Sequence, residues 1–146
     1  MKVYIIGPMR ACVGLNHKNF DKAAKWLRSM DNVVFSPAEI DREKGITDQE
    51  AVSESVLQSL LLNDFKLLMS ADAVCVLPGW TQSQYAPFEL ALAESFDKIV
   101  LTVPNPGDYC PEYLDRGYGL SSYNYSHMVN GVCSDPYGEK ISRGYQ

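Results

Sequence analysis

Short apolar runs, each closed by a turn former, constrain this chain more than any other feature. The first, Lys2 to Ile6, is stopped by Gly7 and Pro8, and a second, VVFSP, is ended by Pro37. Ala71 to Leu77 and Lys98 to Val103 follow the same plan. Runs this short and this uniformly apolar read as strands buried on both faces. Between the first two lies a segment, Asn16 to Met30, in which Phe20, Ala23, Ala24, Leu27 and Met30 recur at helical spacing, with charged residues mostly on the other side. Thr47 and Glu50 form a T-x-x-E capping box before a second helical pattern through Val52, Val56, Leu60, Phe65 and Leu68 that ends near Ser70. A third helix carries Glu89, Leu92, Ala93 and Phe96.

The order is therefore βαβαβαβ, with the polar stretch AEIDREKGITD and the segment PGWTQSQ expected as loops. Strands alternating with single helices predict an α/β fold with right-handed crossovers and a parallel sheet covered on both faces. In such folds ligands sit at the carboxyl ends of the strands. That rule selects Gly7-Pro8-Met9-Arg10, then Ser36-Pro37 with Glu39 and Asp41, and then Gly79-Trp80-Thr81-Gln82-Ser83 leading to Glu89.

At 146 residues, the chain suits one ordinary domain. Beyond Val103 it becomes rich in Gly, Pro, Ser and Tyr. The expected organisation is a domain over residues 1–104 and a Tyr/Gly-rich C-terminal extension over 105–146, packed on its own domain or on a neighbouring subunit, with a fifth strand around His127 to Val132. The formal net charge of −5 argues against a nucleic-acid polymer as partner, because a backbone binder needs a surplus of Lys and Arg on one face. A small molecule is the expected partner. No run reaches about 18 apolar residues, so membrane insertion is not expected. Cys12, Cys75, Cys110 and Cys133 are widely spaced without CxxC, which predicts neither a metal site nor a disulfide framework and places the chain in the cytoplasm.

Two carboxylates stand out. Glu89 falls in the first turns of a helix beside the third strand's carboxyl end, where the helix dipole favours an ionised group suited to a nucleophile. Asp64 lies in an otherwise apolar helical pattern, where a charge is costly unless a partner or a function compensates it; a surface position without a role is the alternative.

The chain resembles the nucleoside 2-deoxyribosyltransferase superfamily, which includes deoxynucleoside 5'-monophosphate N-glycosidases. The matching elements span about the first hundred residues: Tyr4-Ile5-Ile6-Gly7-Pro8-Met9-Arg10 against Y-x-x-G-x-x-R, Asp64-Phe65 followed by Ala71-Asp72, and Ser83 six residues before Glu89. The resemblance implies a flavodoxin-like three-layer sandwich with a four- to five-stranded parallel sheet and no cofactor. It implies that Glu89 attacks the anomeric carbon of a 2'-deoxynucleoside or its 5'-monophosphate while Asp64 protonates the departing base. It also implies a homodimer or higher homo-oligomer.

By the same resemblance Tyr4 lies beside the sugar, with a core aromatic as the alternative reading. Gly7 belongs to the motif loop. Ser83 contacts the sugar or a phosphate, serves as a helix cap, or does both. Arg10 is placed to clamp a phosphate. Trp80 either stacks on a base or packs against the C-terminal segment. Gln84-Tyr85-Ala86-Pro87-Phe88 stand where glycosidase members often carry glycines, so the 5'-phosphate stays open. A non-catalytic nucleotide-binding or sequestering module is a competing reading. So is a phosphoribohydrolase of the lysine-decarboxylase-like group, whose PGGxGTxxE is only partly matched at Pro78-Gly79-Trp80.

Overall fold

The computed structural model describes residues 1–47 and 52–114. Among these residues four strands, β1 (Lys2–Ile6), β2 (Val33–Phe35), β3 (Ala73–Val76) and β4 (Ile99–Thr102), form one sheet in the order β2-β1-β3-β4, with every neighbouring pair parallel. Four α-helices accompany them: α1 (His17–Ser29), α2 (Pro37–Glu43), α3 (Glu54–Ser70) and α4 (Ala86–Ser95). The α/β parallel architecture expected from the apolar runs is the one observed. Glu50 of the capping box, the strand expected near His127 to Val132, and the extension beyond residue 114 lie outside the described residues.

The alternation of β1 and β3 builds two cores. Val3 and Ile5, with Ala73 and Cys75, pack beneath Phe20, Ala23, Ala24 and Leu27 of α1. Tyr4 and Ile6, with Val74 and Val76, face Leu68 of α3 and Ala86, Leu90 and Ala93 of α4. Successive strand residues point to opposite faces, so the sheet is covered on both sides, and each fully buried large side chain contributes about 1.5–3 kcal/mol. The motif residue Asp72 ties the strand starts together: its carboxylate accepts the Lys2 amide at 2.9 Å.

α2 is a departure from expectation, since AEIDREKGITD reads as a loop. Pro37 occupies a first-turn position, where its fixed φ suits a helix and its missing N–H costs nothing. Gly45, at φ 74°, then turns the chain away. The helix is held chiefly through α1: Arg28 pairs with Glu39 at 2.6 Å, and Arg42 with Asp21 at 2.7 Å. Polar residues that look solvated along the sequence are thus partners of another helix. α3 begins at Glu54, capped by Ser53, whose hydroxyl accepts the Val56 amide at 3.3 Å. The stretch expected as a loop after β3 also holds a short 3-10 turn, Trp80–Gln82.

The chain passes from β1 outward to β2 and then returns to β3 on the other side of β1. This reversal opens a crevice at the carboxyl ends of β1 and β3, where neighbouring connections leave in opposite directions.

Candidate active site

A partly open cleft of about 500 Å³, its mouth included, lies at that crevice. Tyr4, Gly7, Arg10, Asp64, Ser83 and Glu89 all line it, although they come from β1 and its loop, α3, and the approach to α4. Trp80 is not brought there. It is 9% exposed and packs in the core that contains Tyr4, Ile6 and Ala86.

Tyr4 reaches the cleft because its place in β1 turns it toward α4. It is fully buried, and its hydroxyl donates to Glu89 Oε2 at 2.6 Å. Core aromatic and site residue are therefore one side chain. Burial raises the Tyr4 phenol well above its ordinary value, and the neighbouring carboxylates Glu89 and Asp64 add to the rise. It remains a donor at any ordinary pH.

Glu89 lies in α4's first turn and is 8% exposed. The helix dipole, expected to keep it ionised, does not prevail. Burial pushes its carboxyl up to about 8, with a further rise from Asp64, although the Tyr4 hydrogen bond favours the anion. Asp64 is half-buried on α3. Burial pushes it up to about 7, with Asp41's charge adding to the rise and Arg10 and Lys44 opposing it. The rings of Phe65 and Phe88, 5.4 Å apart at 58°, join the two helices beside these carboxyls. Two acids that titrate near neutrality in one cleft can divide acid and base duties at physiological pH.

Gly7, just past β1, lies against the buried Leu77 side chain that follows β3: a Cβ there would lie 2.9 Å from the Leu77 Cβ. The Ser83 hydroxyl oxygen accepts the amides of Ala86 at 3.2 Å and Tyr85 at 3.4 Å, which organises the start of α4. Arg10 Nη1 lies 3.4 Å from Asp41 Oδ2, and His17 Nε2 lies 3.7 Å from the same oxygen. Sequence reasoning places Asp41 in a ligand-facing segment without giving it a partner, and it passes over His17. The signal available in the sequence is an aspartate shortly after Pro37, which closes β2 at its carboxyl end. Tyr85 and Gln84 also line the cleft.

Cys12 and Cys75 are buried free thiols, both pushed up to about 12 by burial, so they remain protonated. Among the described residues no cluster of His, Cys, Asp and Glu is arranged to hold a metal ion. No helix among them is long and apolar enough to cross a membrane.

The strand order and the cleft at the reversal point define a flavodoxin-like α/β domain. A solved structure of a 2-deoxyribosyltransferase from the psychrotolerant bacterium Bacillus psychrosaccharolyticus shares this fold, with a TM-score of 0.52 and 20% identity, covering 92% of this chain and 98% of that one. The chain itself belongs to the family described as Domain of unknown function (DUF4406), which matches residues 1–102. Comparison with curated proteins gives no match.

Proposed function

We propose that this protein cleaves or transfers the N-glycosidic bond of a 2'-deoxynucleoside or its 5'-monophosphate, with Glu89 as nucleophile and Asp64 as general acid. The observation that carries the reading is the Tyr4–Glu89 hydrogen bond, in the same cleft as a second carboxyl, Asp64, that titrates near neutrality. The solved 2-deoxyribosyltransferase of the same fold supports the substrate class.

Breaking an N-glycosidic bond leaves positive charge on the sugar and negative charge on the departing base. One anionic oxygen is needed at the anomeric carbon and one proton at the base. A carboxyl raised to about 7 is half protonated at neutral pH and suits the proton donor. Glu89, raised to about 8, gains most from an oxocarbenium-like sugar, whose charge replaces the solvation that burial removes. Its attack forms a glycosyl ester as the base departs with the Asp64 proton. Water or a second base then attacks the same carbon, gives up its proton to the Asp64 carboxylate and releases the Glu89 carboxylate.

The test is incubation with 2'-deoxynucleosides, their 5'-monophosphates and ribonucleotides, with and without an acceptor base, following free base by chromatography. Release or exchange from deoxy substrates that Glu89→Ala abolishes is the expected result. Binding without turnover, or full activity in Glu89→Ala, overturns the proposal.

A further inference from the structure

We infer that Arg10, His17 and Asp41 form a base-reading pocket at one end of the cleft. Asp41 there selects nucleobases that carry an amine beside a ring nitrogen, adenine and cytosine, over their oxo counterparts, hypoxanthine and uracil. The inference rests on the N-glycosidic reading and narrows its substrate class.

The pocket is built from three elements. Arg10, in the loop after β1, lines the cleft together with Pro37, the first residue of α2. Asp41 comes from α2, with a side chain only 4% exposed, and His17 opens α1. Arg10 Nη1 stands 3.4 Å and His17 Nε2 3.7 Å from Asp41 Oδ2. These three atoms are buried, and none has a hydrogen-bond partner among the described residues; Ser36 Oγ, just before α2, shares that condition. Buried polar atoms normally have partners, so a cluster left open in the free protein is a place for the polar atoms of a ligand. The loop that aims Arg10 and His17 is firmly held. Gly14, Leu15 and Asn16 take left-handed φ values of 57°, 54° and 57°, a backbone that persists only where its surroundings fix it. Asn16 Nδ2 donates to the Pro8 carbonyl at 2.8 Å, and Asn19 Nδ2 to Asn16 Oδ1 at 2.7 Å.

Charge decides what this pocket takes. Burial lowers His17 below its usual value, against the pull of Asp41, and leaves the ring neutral at neutral pH. Burial raises the Asp41 carboxyl, but the Arg10 guanidinium beside it opposes that rise and keeps it an acceptor. Arg10 and Asp41 then cancel, so the pocket suits a neutral group that both donates and accepts better than it suits an anion. An amine next to a ring nitrogen matches it: the amine donates to Asp41 Oδ2, and the ring nitrogen accepts from Arg10. An oxo group next to a ring N–H reverses both signs, setting a carbonyl oxygen against the carboxylate and an N–H against the guanidinium.

The pocket also lies where a base would reach. Asp64's charge raises Glu89, Asp41's raises Asp64, and Tyr4 feels Glu89, Asp64 and Asp41 in decreasing order. The carboxyls therefore run from Glu89 through Asp64 to Asp41. A sugar at Glu89, with its glycosidic nitrogen beside Asp64, carries the far edge of the base toward Arg10 and Asp41.

The experiment measures calorimetric binding of free adenine against hypoxanthine, and of cytosine against uracil, to the full chain, since a base without a sugar is not turned over. Base release from the four matching 2'-deoxynucleosides is followed in parallel. A site built to hydrogen-bond one edge rejects the mismatched edge, so the amino base of each pair should bind at least about tenfold more tightly. Asp41→Asn, whose amide nitrogen donates to an oxo group, should narrow both ratios about tenfold or invert them. Because Asp41 also acts on Asp64, the binding ratio and not the rate is the measure of this variant. Equal binding within each pair, or tighter binding of the oxo bases, overturns the inference and requires no variant to fold. Unchanged ratios in a folded Asp41→Asn overturn the role of Asp41. Inorganic phosphate that displaces adenine, and fails to bind Arg10→Gln, makes the pocket an anion site and overturns the inference as well. Base release from none of the nucleosides, with the amino preference in binding intact, overturns the N-glycosidic reading and supports the pocket.

Discussion

Replacing Tyr4 with Phe removes one oxygen and one hydrogen bond, that to Glu89 Oε2 at 2.6 Å, from an otherwise apolar setting. A hydrogen bond to a charged group is worth about 1.5–3 kcal/mol, and each pKa unit corresponds to about 1.36 kcal/mol, so Glu89 should rise by roughly one to two units from about 8. The reactive form needs Glu89 ionised and Asp64 protonated. Glu89 and Asp64 titrate as a coupled pair, and the reactive form is one of its two singly protonated states. Tyr4→Phe shifts the shared proton toward Glu89 and lowers the reactive share by roughly tenfold to hundredfold. The maximal kcat/KM for base release should therefore fall about tenfold to hundredfold. The alkaline limb of the pH profile should move up by roughly one to two units while the acid limb stays near 7. The assay is base release from a 2'-deoxynucleoside between about pH 5 and about pH 10, with circular dichroism to confirm the fold. An unchanged maximum, or a reduced maximum with both limbs in place, would falsify the claim that the Tyr4 hydroxyl sets the ionisation of Glu89.

Other outcomes follow from the same geometry. Asp64→Asn should lower the rate by about 10²–10⁴-fold on ordinary bases and by far less on a base that departs without protonation, measured across a leaving-group series. Glu89→Gln should stabilise the protein in alkali. Glu89 is raised on folding from 4.5 to about 8, so the folded state holds the proton more tightly than the unfolded chain. That stabilisation is complete below about pH 4.5 and drains away as pH rises to about 8. The melting temperature of Glu89→Gln should exceed that of the parent at about pH 8 and approach it at about pH 4.5; the opposite trend refutes the burial argument. Leu27→Ala, fully buried under the sheet, should cost about 2–5 kcal/mol in urea denaturation, whereas a loss below about 1 kcal/mol would mean that α1 is not packed as described.

The strands are legible in the sequence because a strand buried on both faces needs nothing but apolar residues between breakers, and Lys2–Ile6 and Ala73–Val76 satisfy that locally. α2 is not legible, because its partners Asp21 and Arg28 lie on α1, and no window along the chain brings them together. The site divides in the same way. Tyr4, Gly7, Arg10, Asp64, Ser83 and Glu89 follow from strand-end loops and family spacing, and the fold gathers them in one cleft. In the sequence Trp80 stays open between stacking on a base and packing against the C-terminal segment, whereas the 3-10 turn that carries it buries the ring in the core beside Tyr4 and Ile6. The protonation of Glu89 is hidden for a different reason. The dipole that favours the anion is visible as a helix start, whereas the burial that opposes it depends on β1 and α3 closing over the side chain.

The sheet also acts as a ruler for the cleft. Tyr4 stands opposite Val74 in β3, and Ile5 opposite Cys75, so successive side chains of β1 turn alternately toward α4 and α1, and Tyr4 brings the strand's one hydroxyl to the α4 side. A slip of one residue would present Ile5 to Glu89 in place of Tyr4 and leave the carboxyl facing hydrocarbon. Strand pairing thus doubles as a proofreading step, because a misaligned β1 would be disconnected from the chemistry even if the molecule remained folded.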